Sequence, residues 1–311
     1  MSQSRVVRVA AVQAHAAFLK LEETVARLEF WTAKAAGEGA QLVAFPETWL
    51  PGYPAWLDDA PGAALWEHAG ARAVFQRLFE NSVEVPGPVA TRIGAAAREH
   101  SVALIVGVHE RAGRTLYNTL LTFAPDGTLA NQHRKLVPTY HERLIWGQGD
   151  GRGLVAPVVA GVRVGGLICW EHWMPLARQV MHDAGEDIHV AAWPAVQDLH
   201  QVASRHYAFE GRCFVIAAGQ LLRARDMPPE LPLRAEKVSD ADALLCRGGS
   251  AVIAPSGTYL AGPVYDEETL VLADCDLGEI VRESLTFDVS GHYARPDLFD
   301  LRFRAQRPEA V

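Results

Sequence analysis

The chain has 311 residues, of which 49% are hydrophobic and 21% are charged. This length and composition are typical of a globular protein that buries a substantial core without disulfides or metal ions. The formal net charge of −8 argues against nucleic acid and anionic membranes as partners, because both attract basic surfaces. No apolar stretch reaches the roughly 18 residues that span a bilayer, and the N-terminus does not resemble a signal peptide, so we expect a cytoplasmic protein.

The first elements alternate between strand and helix. Residues 5–14, rich in Val and Ala, predict a buried strand, and residues 21–36 predict a helix that ends at Gly37. A short apolar strand at 41–45 stops at Pro46. Two helices and two strands follow, at residues 63–81, 89–100, 101–110 and 115–123. This order predicts an α/β fold in a single domain.

The second half of the chain repeats the alternation. A strand at 161–168 runs directly into Cys169, and a helix begins near Pro175. The remaining predicted strands and helices cover residues 188–192, 199–212, 214–218, 268–274 and 277–286. Ala-Pro-x-Gly turns at 124–127 and 254–257 each close a hairpin. The matching turns are a weak indication of internal two-fold similarity.

The four cysteines are widely spaced and include no Cys-x-x-Cys pair, so they predict neither a disulfide framework nor a zinc site. His200 and His206 form no metal-binding pattern either, and we expect neither a metal nor a cofactor. A free cysteine is ordinarily a buried, inert side chain. That interpretation is kept for three of the four: Cys213, Cys246 and Cys275.

Glu47 follows the strand that ends at Pro46, where open α/β sheets place their ligands. Taken alone, it has the ordinary explanation of a solvated loop residue. The neighbouring Trp49 and Tyr53 would exclude water and raise the pKa of the carboxyl, as a general base requires.

Lys135 lies in a basic segment, His-Arg-Lys, whose ordinary explanation is a solvated surface loop. Beside a thiol, a lysine would favour the thiolate and donate to a developing negative charge. Cys169 lies where a predicted strand is followed by a sharp turn and then a helix, as in the nucleophile elbow of serine hydrolases. Taken alone, Cys169 is more simply a buried small side chain.

Together, the three segments resemble the nitrilase superfamily, whose members share a Glu-Lys-Cys triad. Glu47 matches the Pro-Glu motif, Lys135 the Arg-Lys motif, and Cys169 the Gly-x-x-x-Cys-x-Glu block. The resemblance implies an αββα sandwich that pairs into an αββααββα assembly. It also implies a carbon-nitrogen hydrolase domain at residues 5–285 and a C-terminal extension at 286–311, located at a subunit interface.

The resemblance further implies a role for each residue. Glu47 is the general base, Cys169 forms a thioimidate and then a thioester, and Lys135 stabilises the anion together with the backbone N–H of Trp170. Glu142 matches the additional glutamate that the family places beside the lysine, which it orients.

The Cys-Trp-Glu sequence resembles the true nitrilases more than the amidases, and so implies hydrolysis of an organic nitrile to the acid and ammonia. Tryptophans gather around the motifs, although any single tryptophan is more often a core residue. Their gathering favours an apolar aliphatic or aryl-bearing nitrile. We expect four residues to bind it: Tyr53, Trp170, Trp193 and His172. For His172 we expect a position in or behind the pocket wall rather than a Cys-His dyad.

Three alternatives stay open. Two are enzymes of the same superfamily, an amidase and a hydrolase of cyanide itself. The third is a structural relative without activity, against which the intact set of Glu47, Lys135 and Cys169 speaks. The resemblance also implies a homo-oligomer, a dimer or larger.

Overall fold

The computed structural model describes residues 5–234, 236 and 240–306. Within these residues the chain forms two β-sheets that pack face to face, with helices on their outer faces. Side chains from both sheets make one core between them, including Val9, Ile105, Leu120, Val164 and Ile216. The predicted αββα sandwich is confirmed.

The first sheet has six strands, and their bounds are Val6–Gln13 (β1), Leu42–Ala44 (β2), Ala103–Ala112 (β3), Thr115–Phe123 (β4), Leu129–Arg134 (β5) and Thr269–Asp276 (β13). Their order is β13-β1-β2-β3-β4-β5. β1, β2 and β3 are parallel, and β4, β5 and β13 pair antiparallel to their neighbours.

The second sheet has seven strands, and their bounds are Val158–Val159 (β6), Val162–Ile168 (β7), Ile188–Ala192 (β8), Phe214–Ala218 (β9), Leu221–Arg223 (β10), Leu244–Ile253 (β11) and Tyr259–Tyr265 (β12). Their order is β10-β11-β9-β8-β7-β6, with β12 paired to β11. Here too three parallel strands, β7, β8 and β9, are followed by an antiparallel pair, β11 and β12.

The two sheets therefore repeat one pattern, β1 to β5 in the first and β7, β8, β9, β11 and β12 in the second. The hairpin turns match as well. Gly127 donates its backbone N–H to Ala124 O at 2.8 Å, and Gly257 donates to Ala254 O at 2.8 Å. The internal two-fold similarity suggested by the paired turns is present in the topology.

Helices complete the outer layers, with bounds Leu21–Gly37 (α1), Trp56–Asp59 (α2), Ala69–Glu80 (α3), Pro88–His100 (α4), Pro175–Asp183 (α5), Asp198–Gly211 (α6) and Gly278–Ser284 (α7). Leu28 of α1 and Ile93 of α4 pack in one core with Val43 of the first sheet. Met181 of α5 and Tyr207 of α6 belong to the core of the second sheet.

One helix starts later than its pattern predicted. α3 begins at Ala69 rather than near residue 63, because residues 61–66 form turns after Pro61-Gly62. His68 then caps the helix, its ring Nδ1 accepting the backbone N–H of Ala71 at 3.1 Å.

Beyond α7, residues 286–306 form turns and irregular segments with mostly exposed side chains. Residues 307–311 of the predicted extension lie outside the described residues. A role of this segment at a subunit interface stays a prediction. Among the described residues, no helix is long and apolar enough to cross a bilayer.

Candidate active site

The fold brings the three predicted catalytic side chains to one end of the sandwich. Glu47 lies three residues after β2, Lys135 directly follows β5, and Cys169 directly follows β7. Glu142 joins them from a 3₁₀ turn at Tyr140–Leu144. A carboxylate oxygen of Glu47, one of Glu142 and the sulfur of Cys169 all lie within 4.8 Å of one another.

Lys135 is buried between the two carboxylates. Its Nζ donates to Glu47 Oε1 at 2.9 Å and to Glu142 Oε2 at 2.7 Å. Burial opposes the charge of the ammonium, but the facing groups Glu47, Cys169 and Glu142 outweigh it and raise the pKa of Lys135 above its ordinary value. Lys135 is therefore a permanent cation and hydrogen-bond donor beside the sulfur.

Only one of the two carboxylate oxygens of Glu47 accepts hydrogen bonds from the described residues. Oε1 accepts from Asn118 Nδ2 at 2.6 Å as well as from Lys135, and the backbone carbonyl of Glu47 accepts from Gln220 Nε2 at 2.8 Å. Oε2 has no hydrogen-bond partner among the described residues. Burial raises the pKa of Glu47 to about 7, against the attraction of Lys135. A carboxyl with this pKa and an open oxygen can take and return a proton near neutral pH.

Cys169 has the backbone of a nucleophile elbow. Its φ of +53° lies in the left-handed region, which costs a non-glycine residue on the order of 1–3 kcal/mol. β7 ends at Ile168, and a 3₁₀ helix begins directly at Cys169 and ends at Trp173. The backbone N–H of Trp170 donates to the sulfur.

The electrostatics of the thiol differ from the sequence-based expectation. Burial and the carboxylate of Glu47 raise the pKa of Cys169 well above its ordinary value, and Lys135 opposes them only in part. The lysine favours the thiolate as expected, but burial and Glu47 outweigh its effect. With its pKa raised, the thiol retains its proton unless a base removes it.

Glu171 connects the segment of Cys169 to the segment of Lys135. Its Oε2 accepts from the backbone N–H of Ile168 at 2.7 Å and is 2.8 Å from His133 Nε2. Its Oε1 accepts from the backbone N–H of Leu136 at 2.8 Å. Burial opposes its charge, but His133 and the backbone donors outweigh burial and lower the pKa of Glu171. This ionised carboxylate fixes the distance between Cys169 and Lys135.

Sequence reasoning assigned no role to Asn118, Gln220 or Glu171. Asn118 had a visible signal, because it is a polar residue in the middle of an apolar strand. Glu171 belongs to the motif around Cys169, but its contacts with residues 133–136 come from distant parts of the chain. Gln220 carried no signal that distinguished it from any polar residue after a strand.

A cavity of about 870 Å³ opens onto the sulfur. Cys169 and Glu142 line it, whereas Glu47 and Lys135 are buried beside them. Aromatic and apolar side chains form much of its wall, among them Tyr53, Val137, Trp170, Trp173 and Pro194. Besides Glu142, four charged residues line it: Asp58, Asp59, Arg143 and Glu171.

Two of the four predicted substrate-binding residues line the cavity and two do not. Tyr53 and Trp170 belong to the wall, and 54% of Trp170 is exposed. Trp193 is fully buried, with its indole N–H donating to Ser204 Oγ at 3.1 Å. His172 is buried against Trp193, with ring centroids 4.7 Å apart. Both lie behind the segment of Cys169 and outside the cavity wall, which for His172 is one of the two expected positions. A role of Trp193 or His172 in substrate binding stays a prediction.

Residues 8–282 match the model of the family described as carbon-nitrogen hydrolase. The chain is 40% identical over 306 residues to the bifunctional nitrilase/nitrile hydratase NIT4B of Nicotiana tabacum. The matched region covers 97% of this chain and 87% of that protein. It is also 40% identical over 309 residues to an aliphatic nitrilase of Sinorhizobium fredii, covering 98% of this chain and 97% of that protein.

Solved structures agree with the fold. A carbon-nitrogen hydrolase from Helicobacter pylori superimposes with a TM-score of 0.74 at 19% identity, over 96% of this chain and 98% of that chain. An amidase from Nesterenkonia sp. superimposes with a TM-score of 0.65 at 18% identity, over 92% of this chain and 97% of that chain. The chain belongs to the carbon-nitrogen hydrolase family, the nitrilase superfamily, and is a hydrolase of carbon–nitrogen bonds.

Proposed function

We propose that this protein is a nitrilase that converts an organic nitrile into the carboxylic acid and ammonia. The observation that carries the proposal is the buried group in which Lys135 bridges Glu47 and Glu142 beside the sulfur of Cys169. The similarity to nitrilases at 40% identity over almost the whole chain supports a nitrile rather than another carbon–nitrogen bond.

The first step forms a bond between the Cys169 sulfur and the nitrile carbon. Glu47 removes the thiol proton through its open Oε2, and the sulfur attacks. The proton passes to the nitrile nitrogen, so that R–C≡N and the thiol become the thioimidate R–C(=NH)–S. Lys135 and the backbone N–H of Trp170 donate to the developing negative charge, and the loss of one such donor typically lowers the rate about 10²–10³-fold.

The next steps consume two water molecules. Glu47 activates the first, which adds to the thioimidate carbon; the carbon–nitrogen bond breaks, ammonia leaves, and the thioester R–C(=O)–S remains. A second water, activated in the same way, cleaves the thioester to the acid and returns the proton to the sulfur. Covalent catalysis thus divides one difficult hydrolysis into easier steps.

Glu142 orients Lys135 and does not react in this scheme. Its Oε2 accepts from Lys135 and from the backbone N–H of Thr139 at 2.7 Å, and its Oε1 accepts from the hydroxyl of Tyr53 at 3.0 Å. With both oxygens occupied, Glu142 is a poorer base than Glu47, whose Oε2 is open.

The cavity supports an apolar aliphatic or aryl-bearing nitrile. Tyr53, Trp170 and Trp173 offer flat apolar surfaces near the sulfur, against which an aryl or alkyl group loses contact with water. We propose Tyr53 and Trp170 as substrate-binding residues and assign no substrate contact to Trp193 or His172.

The test is a panel of aliphatic, aryl and arylacetic nitriles and cyanide, with ammonia, acid and amide measured separately. We expect at least one organic nitrile to yield acid and ammonia, and Cys169→Ala to abolish turnover. Cys275→Ala is the matched control, because Cys275 is equally buried but lies on β13. Turnover of no organic nitrile, or turnover that survives in folded Cys169→Ala, contradicts the proposal.

The same panel separates the alternatives. An amidase hydrolyses the matching amide and spares the nitrile, and a cyanide hydrolase acts on cyanide alone. Release of amide from a nitrile would mean that the intermediate after water addition loses the thiol instead of ammonia. Because one similar protein is named a bifunctional nitrilase/nitrile hydratase, the amide is measured in every reaction.

We further propose that the chain forms a homo-oligomer in which two αββα sandwiches stack into αββααββα. α5 and α6 expose apolar side chains on the outer face: Leu176, Leu199, Val202 and Phe209. A patch of this kind is typical of a protein–protein contact. Light scattering after size-exclusion chromatography tests it; a monomer at micromolar concentration contradicts it.

A further inference from the structure

A continuous chain of buried hydrogen bonds leads to the back of the nucleophile. His172 Nδ1 lies 2.7 Å from the backbone oxygen of Cys169, and His172 Nε2 lies 3.0 Å from His189 Nε2. His189 Nδ1 lies 2.7 Å from Glu186 Oε1, and the hydroxyl of Tyr207 donates to Glu186 Oε2 at 2.5 Å. All these side chains are buried, and the proposed mechanism uses none of them.

The position of each proton in this chain follows from the acceptor at its end. A carbonyl oxygen can only accept, so His172 Nδ1 carries a hydrogen. Burial and the neighbouring His189 lower the pKa of His172 to about 3, so the ring is neutral and its Nε2 is an acceptor. His189 must therefore donate from Nε2, and its own Nδ1 needs a donor, since burial lowers its pKa as well. A protonated Glu186 is that donor.

We propose that Glu186, His189 and His172 form a positioning relay that holds the peptide between Cys169 and Trp170, and that the relay is complete only while Glu186 carries its proton. The proposal rests on the proposed function, in which Cys169 is the nucleophile. None of the three relay residues lines the cavity, so they act through Cys169 and not on the substrate.

Both polar groups of the peptide between Cys169 and Trp170 take part in the proposed relay. The carbonyl of Cys169 and the N–H of Trp170 belong to one planar unit and point in opposite directions. His172 holds the carbonyl from behind, and this aims the N–H at the sulfur. A peptide beside a residue with a φ of +53° needs such support, because rotation of the unit would relieve the strain and remove the donor.

The surroundings of Glu186 favour the protonated carboxyl. Burial raises its pKa to about 8, and the hydroxyl of Tyr207 and the neighbouring His182 oppose the rise. Gly165 leaves the space that the carboxyl occupies, because a Cβ there would overlap Glu186 Oε1.

Other charged and titratable groups face the relay, and none supplies the missing proton. His182, Glu171 and His133 act on His189, and Glu171 and His200 act on His172. His182 is itself engaged by Glu210, 3.1 Å from its Nε2. When the pH rises through about 8, Glu186 loses its proton and one of the three links is lost.

The test compares two variants at the carboxyl. In Glu186→Gln the amide nitrogen donates to His189 and the amide oxygen accepts from Tyr207, so the relay is complete at every pH. Glu186→Leu removes the donor. We expect Glu186→Gln to match the wild type below pH 8 and to exceed it increasingly above pH 8. We expect Glu186→Leu to lose about 10²-fold in kcat relative to the wild type below pH 8, with little change in KM, since a small misplacement of reacting groups costs that much. Above pH 8 this difference should shrink, because the wild type loses the same donor.

A second readout does not depend on the nitrile. The rate at which iodoacetamide alkylates Cys169, measured by peptide mass spectrometry, follows the same pattern if the relay positions the sulfur and its donor. Should no nitrile turn over while alkylation follows the pattern, the proposed function fails and the relay stands. His172→Phe, which keeps the stack on Trp193 but removes both ring nitrogens, replaces Glu186→Leu if that variant does not fold.

Two results overturn the relay. One is an alkaline decline in Glu186→Gln identical to that of the wild type, in both kcat and alkylation. The other is a folded Glu186→Leu or His172→Phe protein, by its melting temperature, that keeps wild-type kcat and alkylation rate.

Discussion

The substitution Asn118→Leu tests how the pKa of Glu47, the proposed general base, is set. Asn118 donates to Glu47 Oε1 at 2.6 Å, and this bond stabilises the ionised carboxylate. Leucine has a similar size but no donor, so the substitution removes the hydrogen bond and keeps the packing. The pKa of Glu47, about 7 in the wild type, must then rise.

The size of the shift follows from the strength of the bond. A hydrogen bond to a charged group contributes about 1.5–3 kcal/mol, and one pKa unit corresponds to about 1.36 kcal/mol. The pKa of Glu47 should therefore rise by about 1–2 units. In kcat/KM, which reports ionisations of the free enzyme, the acid limb moves by the same amount. At pH 7 the variant is about 10-fold slower than the wild type, and the deficit shrinks as the pH increases.

The assay is kcat/KM for the best nitrile between pH 5 and 9, expressed as the ratio of variant to wild type at each pH. Thr122→Val is the matched control, because Thr122 lies four residues along the same strand and on the same face. A ratio that is low but independent of pH, or an acid limb that does not move, refutes the assignment of Glu47 as the base.

Three further substitutions test the site. Lys135→Met leaves the carboxylate of Glu47 buried without its cation. The pKa of Glu47 in the folded state, about 7 in the wild type, then lies further above its value in the unfolded chain. Stability should therefore be lost as the pH rises from 5 to 8, by about 3–5 kcal/mol at the upper end, and the melting temperature should fall with it. A melting difference that is the same at both pH values contradicts this. Glu171→Leu removes three acceptor contacts and should lower the free energy of unfolding in urea by more than about 3 kcal/mol; a loss below 1 kcal/mol contradicts it. Tyr53→Phe removes the bond to Glu142 and should lower kcat by about 10-fold, and unchanged kcat would show that Glu142 needs no such support.

Local sequence pattern predicted the alternation of strands and helices, and the resemblance to the nitrilase superfamily implied the two-sheet sandwich and the grouping of Glu47, Lys135 and Cys169. Runs of apolar residues bounded by Gly and Pro located strands such as β4, β8 and β9. Glu47, Lys135 and Cys169 each follow a strand, and sheet ends that face each other bring such residues together.

The features that the sequence could not predict depend on how residues that are far apart in the chain are placed in the fold. The ionisation of Cys169 is decided by its burial and by the carboxylates facing it, and neither can be read from a motif. Trp193 lies in a motif near the site but points into the core, because the side of the sheet that a residue after a strand faces depends on the turn. The contacts of Glu171 and Asn118 join residues 35 to 71 positions apart.

The central claim is that the sulfur of Cys169 carries the substrate during turnover. Acid quenching of the enzyme while it hydrolyses a slow nitrile, followed by intact-mass and peptide-mass measurement, tests it directly. We expect an added acyl mass, R–CO in place of the thiol hydrogen, on the peptide that contains Cys169, and its loss when the substrate is exhausted. Acid and ammonia formed by an enzyme that carries no adduct at any quench time, or carries it on another residue, would contradict the account.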